Sequence, residues 1–405
     1  MTYDFTTRID RRGTYSLKWD NILPGDGEAI PLWVADMDFA PPPATLKALR
    51  DRAAHPVYGY TNLPAAYLEA VAAWNAKRYG RRWEASRFLT APSVLHAMSM
   101  AVRTFTQPGD RLLNLPPVYY PFFKLAKLND RESLDVPLVR RDGWQMDFDA
   151  LDAALTQAKR ESKPVKALLF SAPQNPTGRV WTRDELTTLG DLAKRHDFLI
   201  FSDEIHADLI LPGHQHLGPL DLPGLADRTI VFAGPNKTFN LAGLPISHVA
   251  VLDDTLRARM KHAIEADFYD QPNVLSLAAA WASYREGEPW LNELLTVIRD
   301  NKTLLDGWLE DLNSAWNLEP ALTSAPLEGT YLAWVDATGL IRRGGFSDDK
   351  TLGSFLETQA RVKLTTGSTF QTGGENHLRF NLASPRSQVE EGLGRIRAAL
   401  LPKRV

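Results

Sequence analysis

Thr229-Ile230-Val231-Phe232-Ala233-Gly234-Pro235-Asn236-Lys237-Thr238-Phe239-Asn240-Leu241-Ala242-Gly243-Leu244 is the stretch from which the fold can be read. An apolar run enters it, and the Gly234-Pro235 pair then stops the strand and turns the chain. One lysine follows at once, flanked by small and polar residues, before the apolar chain resumes. A strand that ends by presenting a single amine can hold that amine against a carbonyl group. Taken alone, such a lysine is an ordinary surface residue. Its company elsewhere in the chain changes that.

The same arrangement of apolar run, turn and polar group occurs twice upstream. Val165-Lys166-Ala167-Leu168-Leu169-Phe170 leads to Ala172-Pro173-Gln174-Asn175-Pro176-Thr177-Gly178, and Phe198-Leu199-Ile200-Phe201 leads to Asp203. Short apolar runs bounded by turn signals read as strands buried on both faces. Arg87-Phe88-Leu89-Thr90, Arg111 to Leu115 and Ile246 to Leu252 add further strands. Helical stretches lie between the runs, among them one from Thr182 with Glu185 three residues on, the pattern of a capping box. Strands alternating with helices predict an α/β fold with a mainly parallel sheet sandwiched by helices. Ligands of such sheets sit beyond the carboxyl ends of the strands. Asn175, Asp203 and Lys237 are therefore expected in one crevice.

Outward from this centre, residues up to about 40 read as an irregular arm with a short extended piece at Ile30 to Val34. Pro41-Pro42-Pro43 opens a helix, and a second runs from Pro64 to Tyr79, closed by Gly80. Beyond a long amphipathic helix from Glu288 to Leu312 come a strand (Thr330 to Val335), a helix (Asp349 to Gln359), a strand around Leu378 to Leu382 and a last helix to Leu400. This end reads as a smaller α+β domain. The expected division is an N-terminal arm over 1–45 that packs with the small domain, a large domain over 46–287 and the small domain over 288–405.

The 405 residues carry a formal net charge of −3 and no cysteine. That balance argues against a nucleic-acid binder by bulk charge, and rules out disulfides and thiolate chemistry. The first residues lack a signal-peptide pattern, and no apolar run approaches the roughly 20 residues that span a bilayer. A soluble, cytoplasmic protein with no membrane or nucleic-acid partner is expected.

The chemistry that wants a lysine, a carboxylate and an asparagine in one crevice is that of pyridoxal phosphate. A desolvated lysine stays neutral enough to condense with the aldehyde. A carboxylate beside the ring nitrogen keeps it protonated and makes the ring an electron sink. An asparagine can donate a hydrogen bond to the ring hydroxyl. At this point the chain resembles the fold-type I pyridoxal phosphate enzymes of the class I/II aminotransferase superfamily, most of all the cystathionine β-lyase branch of the MalY/PatB type. Trp33-Val34-Ala35-Asp36-Met37-Asp38-Phe39, Tyr58-Gly59-Tyr60-Thr61, Asn175 to Trp181, Ser202-Asp203-Glu204-Ile205-His206, Lys237 to Leu244, Gly329-Thr330-Tyr331-Leu332 and Arg379-Phe380-Asn381 carry the likeness, which covers nearly the whole chain.

The resemblance implies roles by position. Lys237 is then the Schiff-base lysine and proton-transfer group, Asp203 the partner of the pyridine nitrogen, Asn175 that of the ring oxygen, and Tyr119 a stacking ring. Ser93, Val94 and Leu95 would offer a helix N-terminus to the phosphate, with His206 and Asn236 also at the cofactor. Arg379 would hold the substrate carboxylate bidentately, near Ala35 and Asp36. Tyr60, or Tyr58 if the offset differs, would reach across a homodimer interface to the neighbour's cofactor phosphate. The chain departs from the family pattern at Asn236 (usually Ser), Ser93 (usually Gly), His96 (usually Pro) and Gln371 (usually Gly).

Other readings compete. Asp203-Glu204-Ile205-His206 imitates an NTPase metal box, but no phosphate loop precedes it. His206, His214 and His216 lack firm metal-ligand spacing, so no metal is expected. A non-catalytic cofactor-binding regulator is a remote alternative. Within the family, the expected activity is cleavage of a cysteine S-conjugate such as cystathionine to a thiol, pyruvate and ammonia. An aminotransferase acting on an amino acid and a 2-oxo acid remains open, because fold kinship alone does not choose the reaction.

Overall fold

The computed structural model describes residues 2–21 and 29–400. Seven strands form its large sheet: β1 (Phe88–Ala91), β2 (Arg111–Asn114), β3 (Glu132–Asp135), β4 (Val165–Ser171), β5 (Leu199–Asp203), β6 (Thr229–Ala233) and β7 (Ser247–Ala250). They lie in the order β1-β7-β6-β5-β4-β2-β3. From β6 to β3 all neighbours are parallel, while β7 runs antiparallel to both β6 and β1. The apolar runs have the residue alternation of strands covered on both sides. In β4, Leu168 and Phe170 enter one core while Ala167 and Leu169 enter the core on the opposite face.

Helices supply those two covers: α1 (Pro43–Ala54), α2 (Ala65–Tyr79), α3 (Val94–Phe105), α4 (Pro121–Leu128), α5 (Phe148–Arg160), α6 (Arg183–His196), α7 (Asp254–Ala266) and α8 (Val274–Glu286). One face packs on α5 and α6 through Leu151, Leu155, Leu186 and Leu189. The other packs on α3, α4 and α7 through Met98, Val102, Phe122 and Met260. Thr182 caps α6 as its sequence predicts, accepting from the Glu185 N–H while Glu185 takes the Thr182 N–H in return. Gly80 closes α2 at φ +73°, a left-handed angle that glycine adopts without strain.

The sequence reading assigns no helix to α5, α7 or α8. All three carry a legible start signal, since Asp147, Asp253 and Asn273 each cap their helix by accepting an N–H of the first turn. The third, Val-Leu-Ser-Leu-Ala-Ala-Ala-Trp onward, is apolar nearly all round and shows no single stripe. It packs on α1 and α2 as well as on α9 (Glu288–Trp316). The extended piece expected over 30–34 is shorter, with only Ile30–Pro31 paired, parallel to Val362–Lys363.

After α9 come β8 (Thr323–Ser324), β9 (Leu332–Asp336), α10 (Thr338–Gly344), α11 (Asp349–Phe355), β10 (Thr365–Thr366), β11 (His377–Asn381) and α12 (Arg386–Leu400). Their strands make a second, antiparallel sheet in the order β8-β9-β11-β10. Leu32, Met37 and Phe39 of the N-terminal arm share a core with Leu291 and Leu294 of α9 and with Leu332 and Phe380 of this sheet. The arm is thus built into the C-terminal half of the molecule and runs along the end of the large sheet.

Candidate active site

Because β4, β5 and β6 are adjacent and parallel, their carboxyl ends lie side by side. Ser171 stands opposite Asp203, and Asp203 opposite Phe232. Asn175 sits in the turn after β4, its N–H donating to the Ser171 hydroxyl at 3.3 Å. Gly178 completes that turn at φ +76°, an angle that strains other residues, and a Cβ there would press on Leu327 Cδ1 at 2.9 Å. Lys237 lies on the single helical turn Pro235–Thr238 directly after β6. Asp208 pins this turn from behind, accepting from the Thr238 hydroxyl at 2.8 Å and from the Trp74 indole at 2.9 Å.

The three side chains line one cavity of about 290 Å³. Ala35, Ser93, Val94, Leu95, Tyr119, His206 and Asn236 share its wall, together with Pro92, Ser171, Ile205, Ala242 and Pro245, which the sequence does not single out. Ser171 had a signal, since it ends a strand four residues before Asn175. Ser93 caps α3 by accepting the His96 N–H at 3.2 Å. The first N–H groups of this twelve-residue helix, at Val94 and Leu95, thus meet the cavity at the positive end of its dipole.

The electrostatics are those of a dry pocket with unmatched charges. Burial holds the Lys237 ammonium down at about 8 from its usual 10.5; Asp36 and Asp203 pull it up and Arg379 pushes it further down. Burial likewise lifts Asp203 to about 7, against the Ile205 N–H that donates to it at 3.1 Å. His206 is buried with no partner on Nδ1, and its pKa is well below the ordinary value for the same reason. Lys237 and Asp203 are therefore near a protonation change at neutral pH, the condition that proton transfer needs, while His206 stays neutral.

Arg379, on β11, stands behind Asn175 and donates to its Oδ1 at 2.9 Å. Its other terminal nitrogen reaches Trp33 O at 2.9 Å, and Phe370 lies under the guanidinium at 4.9 Å. Among the described residues no carboxylate pairs with it, its Nε is buried without a partner, and burial lowers its pKa to about 10. The Asn175 amide, with its oxygen turned to Arg379, has both N–H donors left for the cavity side.

Residues 33–39 of the arm cross in front of these groups. Ala35 O accepts from Lys237 Nζ and, at 2.9 Å, from the Tyr331 hydroxyl. Asn381 Nδ2 donates to Val34 O and Asp36 O at 2.6 and 2.7 Å. Asp36 itself turns to Arg11 at 2.7 Å and lies off the cavity wall.

Other expected positions fall elsewhere. Tyr60 is 98% exposed and lines a separate groove with Tyr58, Tyr269 and Asn273. The Asn236 amide lines the cavity, but its two N–H groups are engaged by Leu241 O at 2.9 Å and Leu244 O at 3.0 Å. It fixes the lysine loop and has no donor to spare for an anion. His96 faces Asp267 at 3.4 Å. His216 is buried against Glu204 at 2.9 Å. Gln371 has φ +67° and ψ −156°, a backbone region open almost only to glycine.

The family model described as aminotransferase class I and II matches residues 28–396. The chain is 35% identical to the cystathionine beta-lyase PatB of Bacillus subtilis (strain 168), over 98% of its own length and 100% of that protein's. Among solved structures, cystalysin from Treponema denticola, which contains a pyridoxal 5′-phosphate cofactor, superposes with a TM-score of 0.90 at 34% identity, covering 99% of both chains. The pyridoxal phosphate-bound C-S lyase from Staphylococcus hominis superposes with a TM-score of 0.88 at 31% identity, over the whole of both chains.

Proposed function

The chain belongs to the aminotransferase class I and II family, and from that premise we propose that it is a pyridoxal phosphate-dependent carbon–sulfur β-lyase that cleaves a cysteine S-conjugate to a thiol, pyruvate and ammonia. One observation carries the reading: a lysine with its pKa lowered to about 8 shares a cavity with a buried carboxylate and the N-terminus of a helix. The likeness of the whole chain to proteins named cystathionine beta-lyase and C-S lyase supports the choice of reaction.

The residues present fit the cofactor. The cavity holds an amine for its aldehyde, free helix N–H groups for its phosphate, and a carboxylate whose one hydrogen bond leaves it short of a cationic partner. When bound, pyridoxal phosphate supplies a carbonyl that condenses with amines and a ring that takes up electrons released at the substrate α-carbon. Asp203 would stand against the ring nitrogen, Asn175 would donate to the ring oxygen, and Tyr119 would cover the ring. Val94 and Leu95 would donate to the phosphate, with Ser93 holding the helix start.

Arg379 has no carboxylate partner among the described residues, and a guanidinium fork binds an α-carboxylate bidentately. That contact orients the amino acid in the pocket. Lys237, once free, is a base whose lowered pKa leaves a sizeable neutral fraction near pH 7–8, and it removes the α-proton. Ala35 O is the acceptor that holds its amine meanwhile. The bond from Cβ to sulfur then breaks and a thiolate leaves.

Two further readings belong to this proposal. The division at about 45 and 287 is supported by the separate sheets and by the core that the arm shares with the C-terminal half. A homodimer is supported by the exposed Val57, Tyr58, Tyr60 and Phe268 near a groove of about 650 Å³, with Tyr60 reaching the neighbour's site. No helix among the described residues is long and apolar enough to cross a membrane. Borohydride reduction followed by peptide mapping tests the site. The cofactor should be fixed on Lys237 and lost in Lys237→Ala; covalent trapping in that variant overturns the assignment.

A further inference from the structure

We infer that Asn240 is a positioning residue for the reaction: its side-chain amide clasps residues 37–39 to the turn that bears Lys237, so that the Ala35 carbonyl receives the lysine amine. The inference rests on the reading of Lys237 as the reacting amine.

Asn240 is three residues beyond Lys237 and makes three hydrogen bonds to the arm, about 200 residues away in sequence. Its Oδ1 accepts the Met37 N–H at 3.0 Å. Its Nδ2 donates to Met37 O at 3.0 Å and to Phe39 O at 2.8 Å. The amide thus completes Met37 as a neighbouring strand would, offering donor and acceptor side by side in the plane of a peptide-like group, as Asn and Gln do. The backbone of Asn240 is left-handed, at φ +56°. Of the two amides, asparagine is the one that tolerates this conformation.

A bland account would leave Asn240 as a turn residue chosen for that angle. The contacts say more. The segment 33–39 is held at its far side by the arm itself, through Lys18 Nζ on Asp38 Oδ2 at 2.8 Å and Arg11 on Asp36 and Asp38 at 2.7 and 2.9 Å. Tyr331 and Asn381 hold it from the C-terminal half, and Asn240 joins it to the lysine loop beside the bond that Lys237 itself makes. Ala35 lies two residues before Met37 and accepts from Lys237 Nζ. Loosening this join moves the carbonyl from the amine and lets water into the cleft.

The charged and titratable groups around Lys237 come from each neighbouring element: Asp36 from the arm segment, Lys18 from the arm's helical turn, Asp203 from β5, His206 just after it, and Arg379 from β11. None of them is changed by substitution of Asn240. With Asn240→Gly, which adds no charge, a shift in the titration of Lys237 therefore reports hydration and geometry.

The test uses the full chain with Asn240→Gly, which suits φ +56°, and Asn240→Asp, which keeps the shape but replaces the donor. Asn317→Gly, another left-handed asparagine at the exposed C-terminus of α9, serves as control. In cofactor-free protein, competitive acetylation across pH with peptide mass spectrometry gives the midpoint of Lys237. Asn240→Gly should raise it by about one pH unit; Asn240→Asp adds a charge of its own and is read through kcat and KM alone. In the loaded enzyme they should lower kcat by about tenfold or more, with KM nearly unchanged. Asn317→Gly should leave both as in the wild type. An unmoved Lys237 midpoint together with wild-type kcat overturns the inference, as does a loss of thermal stability alone. If wild-type Lys237 fails to trap the cofactor, the parent reading fails instead, and the two failures are told apart.

Discussion

Replacing Asp203 by Asn should make the cofactor-free protein more stable while it disables the enzyme. The carboxyl group is 5% exposed and accepts one N–H, from Ile205. Burial lifts its pKa from the usual 3.8 to about 7. Each unit corresponds to about 1.4 kcal/mol, so the ceiling is about 4 kcal/mol. The sign follows from linkage. Below pH 3.8 the group is protonated in both folded and unfolded chains and costs nothing. As pH rises from there to about 7, the unfolded chain ionises first, and stability is lost. Above about 7 the cost is complete. Asparagine keeps an acceptor for Ile205 and carries no charge. Lys237 loses a favourable neighbour in the exchange, which trims the expected gain to about 2–4 kcal/mol. Urea unfolding followed by tryptophan fluorescence, from pH 4 to pH 8.5, reads it as a wild-type minus variant difference. The variant should be near wild type at pH 4 and clearly more stable at pH 8, while pyruvate formation is lost. A difference that does not change with pH, or a less stable variant at pH 8, refutes the account of Asp203 as a buried charge awaiting a cation.

Three further predictions concern other parts of the chain. Gln371→Gly should raise stability by about 1 kcal/mol, since the strain of a non-glycine residue at that backbone angle, about 1–3 kcal/mol, exceeds the entropy cost of glycine; the urea midpoint at constant slope measures it. Arg379→Lys should cut kcat/KM for the amino acid by about 10- to 100-fold through loss of a charged two-point contact worth about 1.5–3 kcal/mol. Steady-state kinetics check this, with the cofactor absorbance unchanged. Thr182→Ala removes the α6 capping box and should cost about 1 kcal/mol of stability in a melt, with kcat and KM as in the wild type.

Much of the site was legible because its key groups are local to a signal. Asn175, Asp203 and Lys237 each follow or end an apolar strand, and parallel pairing of those strands puts them together without further information. The start of α3 was legible in the same way. What the sequence hides is contact over long range. Nothing in Trp33 to Phe39 says that the Ala35 carbonyl meets Lys237 or that Met37 pairs with Asn240. These contacts arise only once the arm joins the C-terminal core. Asn236, where the family usually has Ser, reads from the sequence as a residue at the cofactor. In the fold its amide is spent on Leu241 and Leu244, because the loop it starts has carbonyl groups to satisfy. α8 escaped because a helix packed on several sides has no polar face to give it a period.

Incubation of the purified, cofactor-loaded protein with L-cystathionine, with pyruvate and free thiol followed together, decides between lyase and transferase. A lyase gives one pyruvate per thiol, no dependence on an added 2-oxo acid, and loss of both products in Lys237→Ala. No pyruvate or thiol from cystathionine or from smaller cysteine S-conjugates, with brisk amino transfer to 2-oxoglutarate by the same preparation, would contradict the lyase reading.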